Sequence, residues 1–564
     1  MKKYFVTILL LANFLAVEAV GYTSLANRRK VGRKTYSIES VLRLKEEDLD
    51  IANAALILSR EWGSPKTRHI YLRMIDDMAK EVIRKMKEKH VGADARVIPI
   101  MNKYLFEELG FSTVETAGDP DDLFLHTVLT NKRGYCLSLS VLYLAIGERV
   151  GLPLYGVVVP GHFFVRYDDG YVRYNIETTS KGRLASNKYY IEKFKPPKDT
   201  IYMQNLTKLQ TLGCFFNNLG NSYSDVGEID NATLQLERAA AINPSLREAR
   251  MNLGNMYLQQ GYINDAIDQY FEAMKIIPNN PATHYSLANA YVQSGQTALA
   301  ESEYKRALKL AKNFVGARRG LAILYTKQGL YKKALAELKT VMKLNPKDPE
   351  THRHVGDLYK QMKKYSEAIR NYKTALKLRP KFPEAINNMA LCYYDWGRFN
   401  EAIVKFRAVI QLQPYNTNAY FGLALAYNKL DKADSEIYAY QQLLSIDGDM
   451  PDARMNLGNA YMAKELYNLA IDEYSEAIAI SPDNSYLYYN RGVAYANLKD
   501  FETAAGEYIE AIRIDADNAS AHNGLAVSSY MLKDEELARK HANIALDLGF
   551  DVQDDLLDTL EITK

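Results

Sequence analysis

From residue 213 to residue 552 the pattern of apolar and polar positions keeps one period of 34 residues without interruption. A small residue recurs at Gly220, Gly254, Ala288, Ala322, Gly356, Ala390, Ala424, Gly458, Gly492 and Ala526. Three positions on stands tyrosine, at Tyr223, Tyr257, Tyr291, Tyr325, Tyr359, Tyr393, Tyr427, Tyr461 and Tyr495, with Ser529 as the exception. Twelve positions on stands a second alanine, Ala232, Ala266, Ala300, Ala334, Ala368, Ala402, Ala470, Ala504 and Ala538, with Glu436 breaking the series. Pro244, Pro278, Pro346, Pro380, Pro414 and Pro482 close their periods. The spacing predicts two helices per period. The small residue admits a close partner helix. The tyrosine three residues on shares its face and fills the gap beside it. Proline ends the second helix because it has no N–H to give. One such hairpin cannot bury its apolar face alone, so neighbours must stack.

This pattern resembles the tetratricopeptide repeat over ten periods. The resemblance implies an all-α solenoid whose groove is lined by the first helix of each repeat, and a protein or peptide partner in that groove. The expected groove face carries Asn221, Asn255 and Asn289, with Asn459 further on, and then Arg319, Arg353 and Lys360. An asparagine amide both donates and accepts, which suits a peptide backbone. The basic residues imply an extended peptide of some acidic character.

Residues 37–212 lack the period. Segments 37–62 and 66–90 read as amphipathic helices, and 103–109 as another stopped by Gly110. Asp119 is an expected N-cap with Pro120 in the first turn. An apolar helix follows Cys136 and stops at Gly151; strands follow over 154–159, 162–167 and 171–178. Asp169-Gly170 reads as a two-residue hairpin turn. That register pairs His162 with Glu177, Phe164 with Asn175 and Arg166 with Arg173. Phe163, Val165 and Ile176 then share an apolar face, and His162, Glu177 and Asn175 share the other. The Arg166–Arg173 pairing is its unfavourable feature.

Cys136 stands where a loop becomes a helix, an electropositive setting for a sulfur nucleophile. Cysteine, histidine and carboxylate together form a nucleophile, a base and an orienting group. The run Arg133-x-Gly134, Cys136, Leu137, Gly151-Leu152, Pro160-Gly161-His162-Phe163 and Val165-Arg166 resembles the transglutaminase-like superfamily, in its bacterial branch often joined to tetratricopeptide repeats. The likeness implies a papain-like α+β domain that attacks a carboxamide and forms a thioester. Carried over, Cys136 is the nucleophile, His162 the base and then acid, and Glu177 the orienting carboxylate in place of aspartate. The backbone N–H of Cys136 becomes an oxyanion donor, and Asn175 is the alternative orienter.

Charge and composition narrow the partners. Lys+Arg is 71 against Asp+Glu 68, a net +3, so the basic excess of a nucleic-acid binder is missing. Three cysteines cannot form a disulfide scaffold; Cys214 and Cys392 fall in repeat helices as packing residues. The 42 tyrosines against 2 tryptophans fit a tyrosine recurring in a repeat. Lys2, Lys3 and the apolar run 4–17 fit a signal peptide over 1–19, with a basic linker over 20–36. The expectation is export to the periplasm or outside, with no membrane span after cleavage; the positive charge after the run leaves N-terminal anchoring as the alternative. Residues 553–564 are an expected capping tail. No metal or cofactor motif is present. The sequence leads to an exported thiol-dependent amide hydrolase or acyltransferase acting on what the repeats recruit. The alternative is a repeat scaffold with a non-catalytic transglutaminase-like docking domain.

Overall fold

The computed structural model describes residues 35, 37–63, 68–114, 120–198 and 200–562. The expected signal segment, nearly all of the basic linker and Asp119 lie outside them. The chain divides into two compact units, 1–317 and 318–564.

The first unit opens with α1 (Ile38–Leu42), α2 (Ile51–Gly63), α3 (Arg68–Glu88) and α4 (Ile98–Asn102). The single helix expected over 37–62 is thus two. Asp50 turns its side chain back to accept the Asn53 N–H at 2.9 Å and starts α2 afresh. The helix expected over 103–109 is a wider π-turn, Lys103–Glu108, in which the Leu109 N–H reaches the Tyr104 carbonyl. Then come α5 (Leu125–Asn131) and α6 (Cys136–Val150). Two short strands, β1 (Ser112–Thr113) and β2 (Arg133–Gly134), pair in parallel just before α6.

The main sheet is antiparallel in the order β3 (Leu154–Val159), β4 (His162–Asp168), β5 (Arg173–Glu177), β6 (Arg183–Ala185). Pro160-Gly161 joins β3 to β4 in two residues, with Gly161 at φ 74°, where a side chain would be strained. α6 packs on β3 and β4 on one side and on α3 on the other. It is apolar almost all round and nearly all of it is buried. Its charged residues, Glu148 and Arg149, stand together in its last turn; Arg149 is buried. Its guanidinium reaches Asp50 at 3.1 Å and Asp76 at 2.6 Å, and so ties α6 to the start of α2 and to α3. The other face of the sheet is covered by α7 (Asn187–Phe194), whose Tyr190 stacks on Phe164 at 3.9 Å.

The β4–β5 register corrects the expected one by two residues. Arg166 faces Asn175 and Asp168 faces Arg173. The cause is Asp169, whose carboxylate accepts the N–H groups of Tyr171 (2.9 Å) and Val172 (2.8 Å). This closes a four-residue loop, 169–172, in place of a two-residue turn. The unfavourable Arg166–Arg173 pairing disappears: Arg166 donates to Asn175 at 2.7 Å and Arg173 to Asp168 at 2.9 Å.

The repeats begin with α8 (Lys208–Asp225), α9 (Ile229–Ile242) and α10 (Arg247–Gln259). The change of pattern near Gly213 is not a break in packing. One hydrophobic core runs from Ile38 to Met256, through α6, the sheet and the first repeat helices. Gly156 of β3 lies so close to α8 that a Cβ there would meet Thr211 Oγ1 at 2.7 Å. The Lys208 ammonium at the start of α8 bonds the Leu49 carbonyl at 2.6 Å and Glu148 at 2.5 Å.

In both units the repeat helices end where proline requires: Ile242, Ile276, Leu344 and Leu378 each stand two residues before one. The gap at the small residue is filled differently from expectation. A Cβ on Gly254 would meet the ring of Tyr270 at 2.6 Å; Gly356 stands likewise against Tyr372 and Gly458 against Tyr474. These tyrosines come from the second helix of the hairpin and form a second recurring series. At the end of the second unit Asp554–Thr559 forms a last helix. Leu556, Leu557 and Leu560 are buried with Ala538, Ala542 and Ala545 of the final repeat.

Because Asp50 and Arg149 are both buried, Arg149→Ala leaves a buried carboxylate without its main partner. The expected loss is about 3–5 kcal/mol of stability, read as a lowered urea midpoint for the transition that reports the first unit.

Candidate active site

The beginning of α6 is set by polar bonds. Ser138 Oγ accepts the Tyr135 N–H at 2.9 Å and donates to the Asp122 carbonyl at 2.9 Å. Cys136 is therefore the first helical residue, half-buried, at the positive end of a 15-residue helix. The N–H groups of this first turn have no acceptor within the helix, the setting in which an anionic oxygen is stabilised. Thr178 Oγ1 bridges Ser140 Oγ at 3.0 Å and the Cys136 carbonyl at 3.5 Å, holding the end of β5 to α6.

His162 follows the Gly161 turn at the start of β4. Its Nε2 lies 2.7 Å from Glu177 Oε2 at the end of β5. In the observed register Glu177 is diagonal to His162 and not directly opposite, and the longer glutamate arm spans the offset. Two donors complete the carboxylate: Thr179 Oγ1 at 2.6 Å to Oε1 and Tyr190 Oη at 3.1 Å to Oε2. The His162 ring lies parallel to Phe194 with centroids 5.2 Å apart, so its plane is held as well as its edge. Cys136 and His162 line the same cavity. With Nε2 engaged by Glu177, Nδ1 is the nitrogen left for the sulfur.

The electrostatics follow from these contacts. Burial opposes charge on His162, but the neighbouring Cys136 and the bonded Glu177 carboxylate outweigh it, and the ring is pushed up to about 9. Burial likewise opposes charge on Glu177, yet His162, Thr179 and Tyr190 together hold its carboxyl below the ordinary range. Burial pushes the Tyr190 hydroxyl up, so it stays a donor. At neutral pH the site is an imidazolium held between a carboxylate and a sulfur. Cys214 differs: buried in apolar surroundings and near Glu248, it is pushed up to about 12.

Cys136 and His162 line a cavity of about 190 Å³ with Leu137, Val158, Val159, Gly161 and Phe163. The remaining lining comes from the first two repeats, and includes Asn217, Asn218, Asn221 and Asn252. Asn221 was expected on the groove; Asn218 and Asn252 were not, although they occupy the same position of consecutive repeats. The supporting donors Thr179 and Tyr190 also escaped the sequence reading. Asn175, the alternative orienter, faces Arg166 and bonds it together with Asn187 and the Ala185 carbonyl. It therefore belongs to the cradle of Arg166 and not to His162. Among the described residues no group of three or more His, Cys, Asp or Glu side chains could hold a metal ion.

The other groove residues serve the repeats. Asn255 Oδ1 accepts the Tyr270 hydroxyl at 2.8 Å, and Asn289 Oδ1 accepts that of Tyr304 at 2.5 Å. In the second unit Asn459 does the same for Tyr474. Arg319 bonds Asp348 at 3.0 Å, Arg353 bonds Asp357 at 2.8 Å and Glu350 at 3.2 Å, and Lys360 lies 3.4 Å from Asp395. The charge of these three cations is largely answered within the protein.

Residues 69–210 match the family model of the transglutaminase-like superfamily. Tetratricopeptide-repeat models match segments between residues 254 and 549. A UPF0162 protein of Xylella fastidiosa is 25% identical over 222 residues, covering 37% of this chain and 78% of its own. Human F-box only protein 21 is 34% identical over 86 residues, covering 14% of this chain and 13% of its own. Among solved structures, a tetratricopeptide repeat protein from Parabacteroides merdae is 21% identical with a TM-score of 0.34, covering 45% of this chain and 97% of its own.

The His162 cation gives a testable pH dependence. Its favourable pairing is fully present below the free-histidine value of about 6.5 and is lost as pH rises through about 9. An anionic alkylating reagent is drawn to Cys136 by the imidazolium, whereas a neutral one is not. The ratio of iodoacetate to iodoacetamide rates at Cys136, followed by mass spectrometry, should fall as pH passes about 9. His162→Ala should remove that fall.

Proposed function

We propose that this chain, a transglutaminase-like domain followed by tetratricopeptide repeats, is a thiol-dependent amide hydrolase or acyltransferase acting on a peptide or protein that the repeats recruit. The observation that carries this reading is an imidazole that bonds Glu177 at 2.7 Å and shares a cavity with a cysteine at a helix start. A histidine serving only to fill the core would need neither a charged partner nor a cysteine at a helix start, and a docking domain would need no cavity beside them.

Cys136 Sγ attacks the carbon of a carboxamide, forming the C–S bond while the carbonyl electrons move to oxygen. The developing oxyanion is met by the first-turn N–H of Cys136. As the oxyanion collapses, the C–N bond breaks and the imidazolium of His162 gives its proton to the departing nitrogen. Ammonia or an amine leaves, and a thioester remains on Cys136. Water or an amine then attacks the thioester carbon, His162 takes the proton of the attacking group, and Sγ departs as the thiolate. Glu177 keeps the imidazole in place and compensates its positive charge throughout.

Export by the 1–19 segment belongs to the same proposal. N-terminal sequencing of the protein from its native host should find a mature chain beginning at Val20, and an intact Met1 would refute that part.

Two measurements test the enzyme. Mass spectrometry of protein incubated with glutamine-containing peptides should detect an acyl adduct on Cys136, absent from Cys136→Ala. Glu177→Gln removes the compensating charge but not the side-chain shape. It should lower turnover on the order of 10²–10⁴-fold, as loss of the orienting carboxylate does in Ser-His-Asp enzymes. Turnover unchanged in Glu177→Gln would refute the assigned role.

A further inference from the structure

The cavity at Cys136 has two walls of different origin. One is the transglutaminase-like domain. The other is built by the first helices of repeats 1 and 2, α8 and α10, which contribute Asn217, Asn218, Asn221, Glu248 and Asn252. Asn217, Asn218 and Asn221 lie on one face of α8, since residues four apart are neighbours on a helix. Asn252 stands at the repeat position of Asn218, one period later. Three of these amides are linked: Asn252 Nδ2 donates to Asn217 Oδ1 at 3.0 Å, and Asn217 Nδ2 to Asn218 Oδ1 at 3.4 Å. Among the described residues this leaves Asn218 Nδ2, Asn252 Oδ1 and both ends of the Asn221 amide without a protein partner. On the same wall Glu248 accepts through Oε1 from Tyr202 and Arg247, while its buried Oε2 has no partner.

We infer that this asparagine wall is the substrate-positioning half of the active site. It holds the main chain of an extended peptide along α8 and α10, so that the peptide's amide carbon arrives at Cys136. The chemistry favours a backbone over a side chain. Primary amides offer a donor and an acceptor in one plane, which matches successive N–H and C=O groups of an extended strand and selects no particular residue type. Asn255 and Asn289 do not extend the wall: neither lines this cavity, and their acceptors serve Tyr270 and Tyr304. Recognition is thus concentrated in the two repeats that touch the cavity. The substrate class is an unfolded or extended polypeptide segment, and not a free small amide.

The inference rests on the thiol chemistry proposed above, and its test separates the two. The full-length chain is treated with chloroacetamide and, separately, with chloroacetyl-tetraglycine amide. Both react by displacement of chloride by Cys136 Sγ, and they differ only in the attached peptide backbone. Wild type should react about tenfold faster with the tetraglycine reagent, the gain expected from one or two net hydrogen bonds. Asn221→Ala combined with Asn252→Ala should lose that preference, bringing the two rates together, while an unchanged circular dichroism spectrum and melting temperature report an intact fold. If that variant does not fold, Asn218→Asp with Asn221→Asp keeps the shape and the Asn217 contact, removes the two free donors and should lose the preference too. Equal rates with both reagents in wild type, or a preference that survives in both variants, would overturn the inference and leave the enzyme reading standing. A Cys136 inert to both reagents would remove the enzyme reading and the inference with it.

Discussion

The helix Lys208–Asp225 has to be buried from two directions at once, and much of the first unit depends on it. It is the first helix of the repeat array, yet its apolar residues Leu212, Phe215, Phe216 and Leu219 lie in one core with Leu56, Leu144 and Val165 of the preceding domain. A terminal repeat normally needs a polar outer face or a cap. Here the transglutaminase-like domain supplies the cap, and the close approach at Gly156 and the Lys208 anchor bring the two together. The consequence is chemical as well as structural: the residues this helix turns toward the cavity stand opposite the cysteine.

Two buried basic groups near the sheet are handled differently. Arg166 is completely buried and is surrounded by neutral acceptors: Asn175, Asn187, Asn205 and the Met203 carbonyl. Burial and the nearby Arg173 push it down to about 10, still far above neutral pH, so it is a permanent cation that organises β4, β5 and the chain before the repeats. His162 instead has one carboxylate and one sulfur, and both favour its charged form. A group meant to exchange protons is best left with partners that respond to its charge, whereas a structural cation is best surrounded by fixed dipoles.

In the repeats, polar side chains at groove positions mostly serve the fold. Tyrosines from the second helix occupy the space opposite glycine or alanine, and their hydroxyls must find an acceptor when buried. Asn255, Asn289, Asp357 and Asn459 provide it. The same logic explains why repeat 1 is different. There Leu236 occupies the place held by tyrosine in most later repeats, so Asn221 has no hydroxyl to satisfy and its amide stays free at the cavity.

What the sequence determined by itself is what depends on local spacing. The 34-residue period, the proline stops, the helix start at Cys136 and the sharing of one strand face by His162 and Glu177 all follow from residues near one another in the chain. The tertiary structure decided which neighbours meet. The hairpin register moved by two residues because Asp169 captured two backbone N–H groups. A shift of two preserves every side chain's face while changing every partner, so alternation of apolar and polar residues cannot detect it. The break before α2, the donors Thr179 and Tyr190 and the asparagine wall were hidden for a related reason. Each is fixed by contacts between segments far apart in sequence, such as Asp50 with Arg149 or α8 with Cys136. Periodicity records which side of an element is buried, but not what buries it.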